Sequence, residues 1–136
     1  MTVVLDTNVV VALYDAGDPD HRLVADWVAV LDEDLVATPL AVAEMDYLVR
    51  RRGGQDAQET LWRDLDAGAY AVRWWADALA ETLGIARRHP FAGLTDASLV
   101  ALAGRLRTRR IATVDQHFRS MTTPAGEPFV LLPDDA

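Results

Sequence analysis

No cysteine and no lysine occur among the 136 residues. The first absence excludes disulfide scaffolds, thiolate zinc sites, iron–sulfur clusters and cysteine nucleophiles. The second excludes Schiff-base chemistry, a Walker-type phosphate loop and any catalytic ammonium, since all 13 basic residues are arginine. Long apolar runs are missing as well. Val9 to Tyr14 is the longest, far below the ~18 residues of a membrane helix. Asp6 interrupts the N-terminal apolar stretch and no basic residue precedes it, which predicts a cytoplasmic protein without a secretory leader or membrane association. Positive charge is also scarce. With 13 basic against 21 acidic residues the net charge is −8, which excludes whole-surface attraction to phosphate or anionic lipid but leaves room for a local basic patch. The three histidines, His21, His89 and His117, have no paired metal-ligand spacing.

What remains is a globular composition, 51% hydrophobic and 25% charged, at a length typical of one domain. No repeat, linker or low-complexity segment divides it, so a single domain over residues 1–136 is expected. Thr2–Asp6 reads as a buried strand, Asn8–Tyr14 and Asp20–Leu31 as helices, and Leu35–Thr38 as a second strand. Thr38 then has the chemistry of an N-cap and Pro39 that of a first helical residue, opening a helix through about Arg52 that stops at Gly53-Gly54. A further helix covers Asp56–Leu65, a third strand Ala69–Trp74, and a helix Asp77–Arg88. Thr95 is read as the cap of a helix reaching about Arg107, followed by strands Arg110–Val114 and Pro128–Leu132. Strands alternating with helices predict an α/β class: a central parallel sheet of about five strands covered on both faces.

In open parallel sheets, ligands bind beyond the carboxyl ends of the strands. Asp6 ends the first predicted strand and Asp115 the fourth, and Asp96 lies in the first turn of its helix. Glu44 is five residues past Pro39, about 7–8 Å along its helix. Singly, Asp96 is explained as a helix-start residue, Glu44 as a solvated helix residue and Asp115 as a turn residue. Together they change meaning. Four carboxylates in one cleft repel one another, and at least one takes up a proton unless a cation sits among them. All-oxygen ligation suits Mg²⁺ or Mn²⁺, ions that acidify water and clamp phosphodiester oxygens during in-line attack.

These residues carry a family resemblance. Val3-Val4-Leu5-Asp6-Thr7-Asn8, Ala43-Glu44, Leu94-Thr95-Asp96-Ala97-Ser98-Leu99 and Ala112-Thr113-Val114-Asp115-Gln116-His117-Phe118 together resemble the PIN-domain nucleases, and within them the VapC-like toxins of type II toxin–antitoxin pairs. The resemblance spans essentially the whole chain. It implies a PIN-like three-layer sandwich and a Mg²⁺-dependent (or Mn²⁺-dependent) endoribonuclease acting on single-stranded or loop RNA. It places the acidic metal-binding and catalytic quartet on Asp6, Glu44, Asp96 and Asp115, with Asp6 and Asp96 as principal ligands. Asn8 and Thr113 match supporting polar positions, although a β-branched residue at 113 is also what a strand wants. It further implies a VapB-like antitoxin whose C-terminal tail inserts an arginine among the carboxylates, with apolar anchors against Val9–Tyr14 and Leu40–Leu48, and a homodimer or a hetero-oligomer with that antitoxin.

Other readings are weaker. A phosphoacceptor receiver domain needs a lysine that this chain lacks, and a haloacid dehalogenase phosphatase needs a second aspartate where Asn8 stands. Neither explains Glu44. A PIN nuclease of RNA processing outside any toxin pair is the nearest alternative, ahead of a non-catalytic α/β binding module. For phosphate contacts, Arg50-Arg51-Arg52, Arg87-Arg88 and the arginines from Arg105 to Arg110 are available, most of them also explained as helix-end charges. Phe118 is expected to be a core anchor. Leu61, Trp62, Leu65, Trp74 and Trp75 supply more large apolar groups than one helix layer usually needs; filling the core and pairing two copies explain them equally, and the family resemblance favours pairing.

Overall fold

The computed structural model describes every residue from Met1 to Ala136. Its centre is a five-stranded sheet in the order β3-β2-β1-β4-β5, with β1 (Thr2–Leu5), β2 (Asp34–Ala37), β3 (Ala71–Val72), β4 (Arg110–Ala112) and β5 (Val130–Leu132). All four pairings are parallel, with Val4 opposite both Val36 and Ile111. Successive strand residues face opposite sides of a sheet. Val3, Val4 and Leu5 are nonetheless all buried, as are Leu35, Val36 and Ala37, so both faces are covered and the architecture is the expected three-layer sandwich. The covering helices are α1 (Thr7–Tyr14), α2 (His21–Val30), α3 (Pro39–Asp66), α4 (Ala78–Arg88) and α5 (Leu94–Leu106). None is long and apolar enough to cross a membrane.

Helix α5 is the most deeply placed, with every residue from Ala97 to Ala103 buried. Phe118, fully buried, packs edge-on against Phe129 at 5.6 Å between ring centres, which makes it the core anchor that was expected.

Helix α3 is not one straight rod. A straight helix would separate Asp46 from Trp62 by about 24 Å, at 1.5 Å per residue, yet Trp62 Nε1 donates to Asp46 Oδ1 at 2.6 Å and Gln58 Nε2 donates to the same oxygen at 3.0 Å. The chain reverses at Gly53-Gly54, where Gly54 has φ 85° and ψ −177°, a conformation open to glycine at little cost. The predicted stop at this pair therefore holds, and two antiparallel segments result. At Gly53 an added Cβ would sit 2.8 Å from Ala57 Cβ and 3.3 Å from the Tyr14 carbonyl oxygen, so the turn also needs a residue without a side chain.

Several boundaries differ from expectation: β4 stops at Ala112 rather than Val114, and β5 starts at Val130 rather than Pro128. The third strand is confined to Ala71–Val72, both exposed; as an edge strand it adds only an Arg73 N–H to Ala37 O bond of 2.9 Å beyond its ladder. Gly93, not Thr95, is the N-cap of α5. The Gly93 carbonyl accepts the first helical bond, from Ala97 N–H at 3.1 Å, and Thr95 is already helical.

Candidate active site

Strand order fixes where a site forms. The chain leaves β1 toward β2 on one side and later crosses to β4 on the other, so the crevice at the switch point opens between the ends of β1 and β4. Asp6 follows β1 and its N–H donates to Ala112 O at 3.0 Å, locking it beside β4. Its carboxylate is buried and accepts from Thr7 N–H at 2.8 Å through Oδ1 and from the Thr113 hydroxyl at 2.9 Å through Oδ2.

Thr113 is the hub of this crevice. Besides donating to Asp6, its oxygen accepts from Asp115 N–H at 3.0 Å and from Asn8 Nδ2 at 3.3 Å. Asn8 Oδ1 in turn accepts from Val114 N–H at 3.2 Å. Asn8 thus clasps the segment after β4. Asp115 is turned by its own side chain, which accepts from His117 N–H at 3.0 Å while its other oxygen lies 2.7 Å from His117 Nδ1.

The other two carboxylates come from helix starts. Asp96 lies half-buried in the first turn of α5, where unpaired N–H groups and the helix dipole favour negative charge. Glu44 lies exposed on α3, near the end begun by Thr38 and Pro39. A buried chain of hydroxyls ties these two helix starts together. Ala41 N–H donates to Thr38 Oγ1 at 3.2 Å, Thr38 and Ser98 hydroxyls meet at 2.8 Å, and Ser98 donates to Thr95 O at 2.6 Å. Because the single Ser98 proton is committed to Thr95 O, Thr38 is the donor in the middle bond, and the chain runs in one direction with every group satisfied.

Asp6, Glu44, Asp96 and Asp115 all line one open cleft of about 700 Å³, together with Asn8; Thr113 sits buried directly beneath. The electrostatics follow from that crowding. Burial first, then the charge on Asp96, raises Asp6 from an ordinary 3.8 to about 7, against the opposing hydrogen bonds from Thr113 and Thr7, with Asp115 adding to the rise. Asp96 is also raised, by burial and then by Asp115 and Glu44, with His117 opposing. Negative charge in the cleft is undercompensated by the protein itself.

The donor set fits a hard divalent cation: carboxylate oxygens only, no thiolate, and an excess of negative charge at Asp6. No three acidic or histidine side chains converge on one point. The oxygens stand around an open space, which suits an ion that keeps several waters and touches one or two carboxylates.

Several lining residues carried no signal in the sequence. His117 reaches the cleft through its i+2 turn contact with Asp115, and Asp18 and Asp20 through the loop between α1 and α2. Of the arginines singled out for phosphate contact, only Arg52 lines the cleft. Arg110 is held by Glu33 through two bonds of 2.9 and 2.5 Å, Arg109 lies 3.8 Å from Glu127, and Arg105 stacks over Trp75 at 5.6 Å.

Comparison with known proteins bears on this geometry. The family model described as PIN domain matches residues 3–123. Ribonuclease VapC26 of Mycobacterium tuberculosis (strain H37Rv) is 35% identical over 135 residues, covering 96% of this chain and 100% of the relative. Ribonuclease VapC29 of the same organism is 31% identical over 141 residues, 98% of each chain. Among solved structures, M. tuberculosis VapC20, described as a sarcin–ricin loop cleaving toxin, superposes with a TM-score of 0.78 at 20% identity, over 85% of this chain and 91% of that one. FitAcB from Neisseria gonorrhoeae superposes at 0.56 with 24% identity, over 85% and 88%. These two likenesses concern the fold.

Proposed function

This chain belongs to the PIN domain family, and from that premise we propose that it is a toxin endoribonuclease hydrolysing phosphodiester bonds of single-stranded or loop RNA with the help of Mg²⁺ or Mn²⁺. One observation carries the reading: four carboxylates from separate elements line one cleft, and the most buried of them, Asp6, is pushed up to about 7 by burial and its neighbours. The two curated relatives, matched over nearly their full length, are both named ribonucleases, which supports the reaction class.

In this reading Asp6 and Asp96 hold the cation, while Glu44 and Asp115 shape its surroundings through water or a second ion. When bound, the ion supplies Lewis acidity toward a phosphodiester oxygen and lowers the pKa of water for in-line attack. The protein's own work is positional. Thr113 and Thr7 hold the Asp6 carboxylate by one hydrogen bond to each oxygen, and Asn8 keeps the Asp115 segment against β4. The Thr38–Ser98 chain keeps the starts of α3 and α5 in register, which sets Glu44 relative to Asp96.

The same excess charge makes the cleft a receptor for a guanidinium. A VapB-like antitoxin is the partner this reading assigns, its tail placing an arginine between carboxylates by paired hydrogen bonds. The chain is further assigned a homodimer, for which half-exposed Trp62 and Trp74 offer apolar surface. Sequencing RNA 5′ ends after expressing this chain alone tests the reading: new ends at discrete single-stranded or loop positions support it, and an RNA population without new ends contradicts it.

A further inference from the structure

Six acidic residues line the cleft against a single arginine, Arg52, and one histidine, His117. Such a cleft repels a polyanion unless some group meets its phosphates. His117 is engaged by Asp115 at 2.7 Å. Arg52 is barely held: its Nη1 lies 3.9 Å from Asp18 Oδ2, and its side chain is 56% exposed, a pairing that contributes little in water. Asp18 does not need it, because Asp18 Oδ1 already accepts from Asp20 N–H at 2.8 Å. The neighbouring arginines are committed elsewhere, Arg50 to Gln58 at 3.3 Å and Arg51 to the Tyr47 hydroxyl at 3.1 Å.

Position adds to availability. Glu44, Leu48 and Arg52 all line the cleft and recur at intervals of four on one helix, so they form one stripe, with Arg52 about 12 Å along the axis from Glu44. The reversal at Gly53-Gly54 turns the following segment back along α3, and the stripe ends on the guanidinium.

We propose that Arg52 is the phosphate anchor of this cleft, exchanging its loose contact with Asp18 for a backbone phosphate of the RNA strand that flanks the scissile one. The proposal rests on the ribonuclease reading and deepens it by giving the strand a direction: from the carboxylates along the Glu44–Leu48–Arg52 stripe. Arg52 is a positioning residue, remote from the reacting atoms.

The test measures binding of a fluorescent single-stranded RNA oligonucleotide by anisotropy across a salt series, with Mg²⁺ present and in an Asp96→Asn background so that binding is read without cleavage. Arg52→Ala is expected to weaken binding about tenfold, as loss of a charge-assisted contact does, and to flatten the log–log salt slope by about 0.7, the loss of one phosphate contact on a single strand. Arg52→Lys keeps the slope and loses part of the affinity, having charge without the fork. Asp18→Asn, which frees Arg52, binds at least as tightly as the background protein. Arg88→Ala, an equal charge change at the exposed end of α4, changes neither quantity. An unaltered slope in Arg52→Ala overturns the anchor. So does weakening of Asp18→Asn to the level of Arg52→Ala, which would make their pairing the whole effect, or an equal change in Arg88→Ala. A parent chain, with Asp96 intact, that cuts no RNA in Mg²⁺ overturns the ribonuclease reading instead, so the two failures are distinguishable.

Discussion

Replacing Asp6 by asparagine should stabilise this protein when divalent cations are chelated, although it removes a residue assigned to the site. The carboxylate is 5% exposed and its pKa rises from 3.8 to about 7 in the folded chain. A pKa raised on folding means that the folded state binds the proton more tightly than the unfolded state. The corresponding stability is fully present below the unfolded value and is lost as pH rises through the folded one. At 1.36 kcal/mol per pH unit the loss reaches about 4 kcal/mol at pH 8.5, and about half of that is already incurred at pH 5.5. Asparagine carries no such charge. It keeps one of the two acceptor oxygens, and the Thr113 hydroxyl can turn toward Asn8 Oδ1, 3.4 Å away, so the substitution costs about 1 kcal/mol in hydrogen bonding. The net advantage of Asp6→Asn is therefore about 3 kcal/mol at pH 8.5 and about 1 kcal/mol at pH 5.5. For a chain of this size that is a rise in melting temperature of roughly 10 °C at the higher pH. Thermal unfolding followed by circular dichroism in EDTA at the two pH values measures it. A variant that melts below the parent at pH 8.5, or an advantage that does not shrink on acidification, would refute the electrostatic account of the cleft.

Two other expectations follow from different parts of the structure. Ser98→Ala leaves the fully buried Thr38 hydroxyl without its acceptor, so urea unfolding should show a loss of about 1–2 kcal/mol, and cleavage should need a higher Mg²⁺ concentration; unchanged metal dependence would deny the hydroxyl chain any part in setting Glu44 against Asp96. Light scattering at micromolar concentration should give twice the 14.9 kDa chain mass, and a monomer mass throughout would remove the homodimer.

The parts of the fold that were legible in the sequence are those where one local cause dominates. The run Val3-Val4-Leu5 is continuous because β1 is covered on both faces, and it ends where Asp6 enters the crevice. Gly53-Gly54 was readable as a stop because a left-handed turn and a close approach to Tyr14 both exclude larger residues. Gly93 left no such mark: a cap that acts through its backbone has no side chain to announce it, and Thr95 two residues on has the typical capping chemistry. Asp6, Asp96 and Asp115 stood out because each sits at an element boundary, whereas Glu44, more than a turn inside α3, was marked only by the family resemblance. Thr113 was ambiguous because the strand and the hydrogen bond ask for the same residue type. The Thr38–Ser98 contact joins residues 60 apart, and no local pattern encodes it. Arg52 differed from Arg50 and Arg51 only in phase, two intervals of four beyond Glu44, and only the folded helix makes that phase meaningful.

The most direct measurement is cleavage of RNA by the purified chain in Mg²⁺, beside Asp96→Asn and beside an EDTA control. Asp96 lies half-buried at the start of α5, and its carboxylate is raised by burial and by Asp115 and Glu44. Asparagine keeps its shape and one acceptor while removing the charge, so the variant should fold as the parent does. The account predicts cutting by the parent that stops in EDTA, returns with added Mg²⁺ or Mn²⁺, and is absent from Asp96→Asn at an unchanged circular dichroism spectrum. Equal cleavage by parent and variant in Mg²⁺ would contradict it.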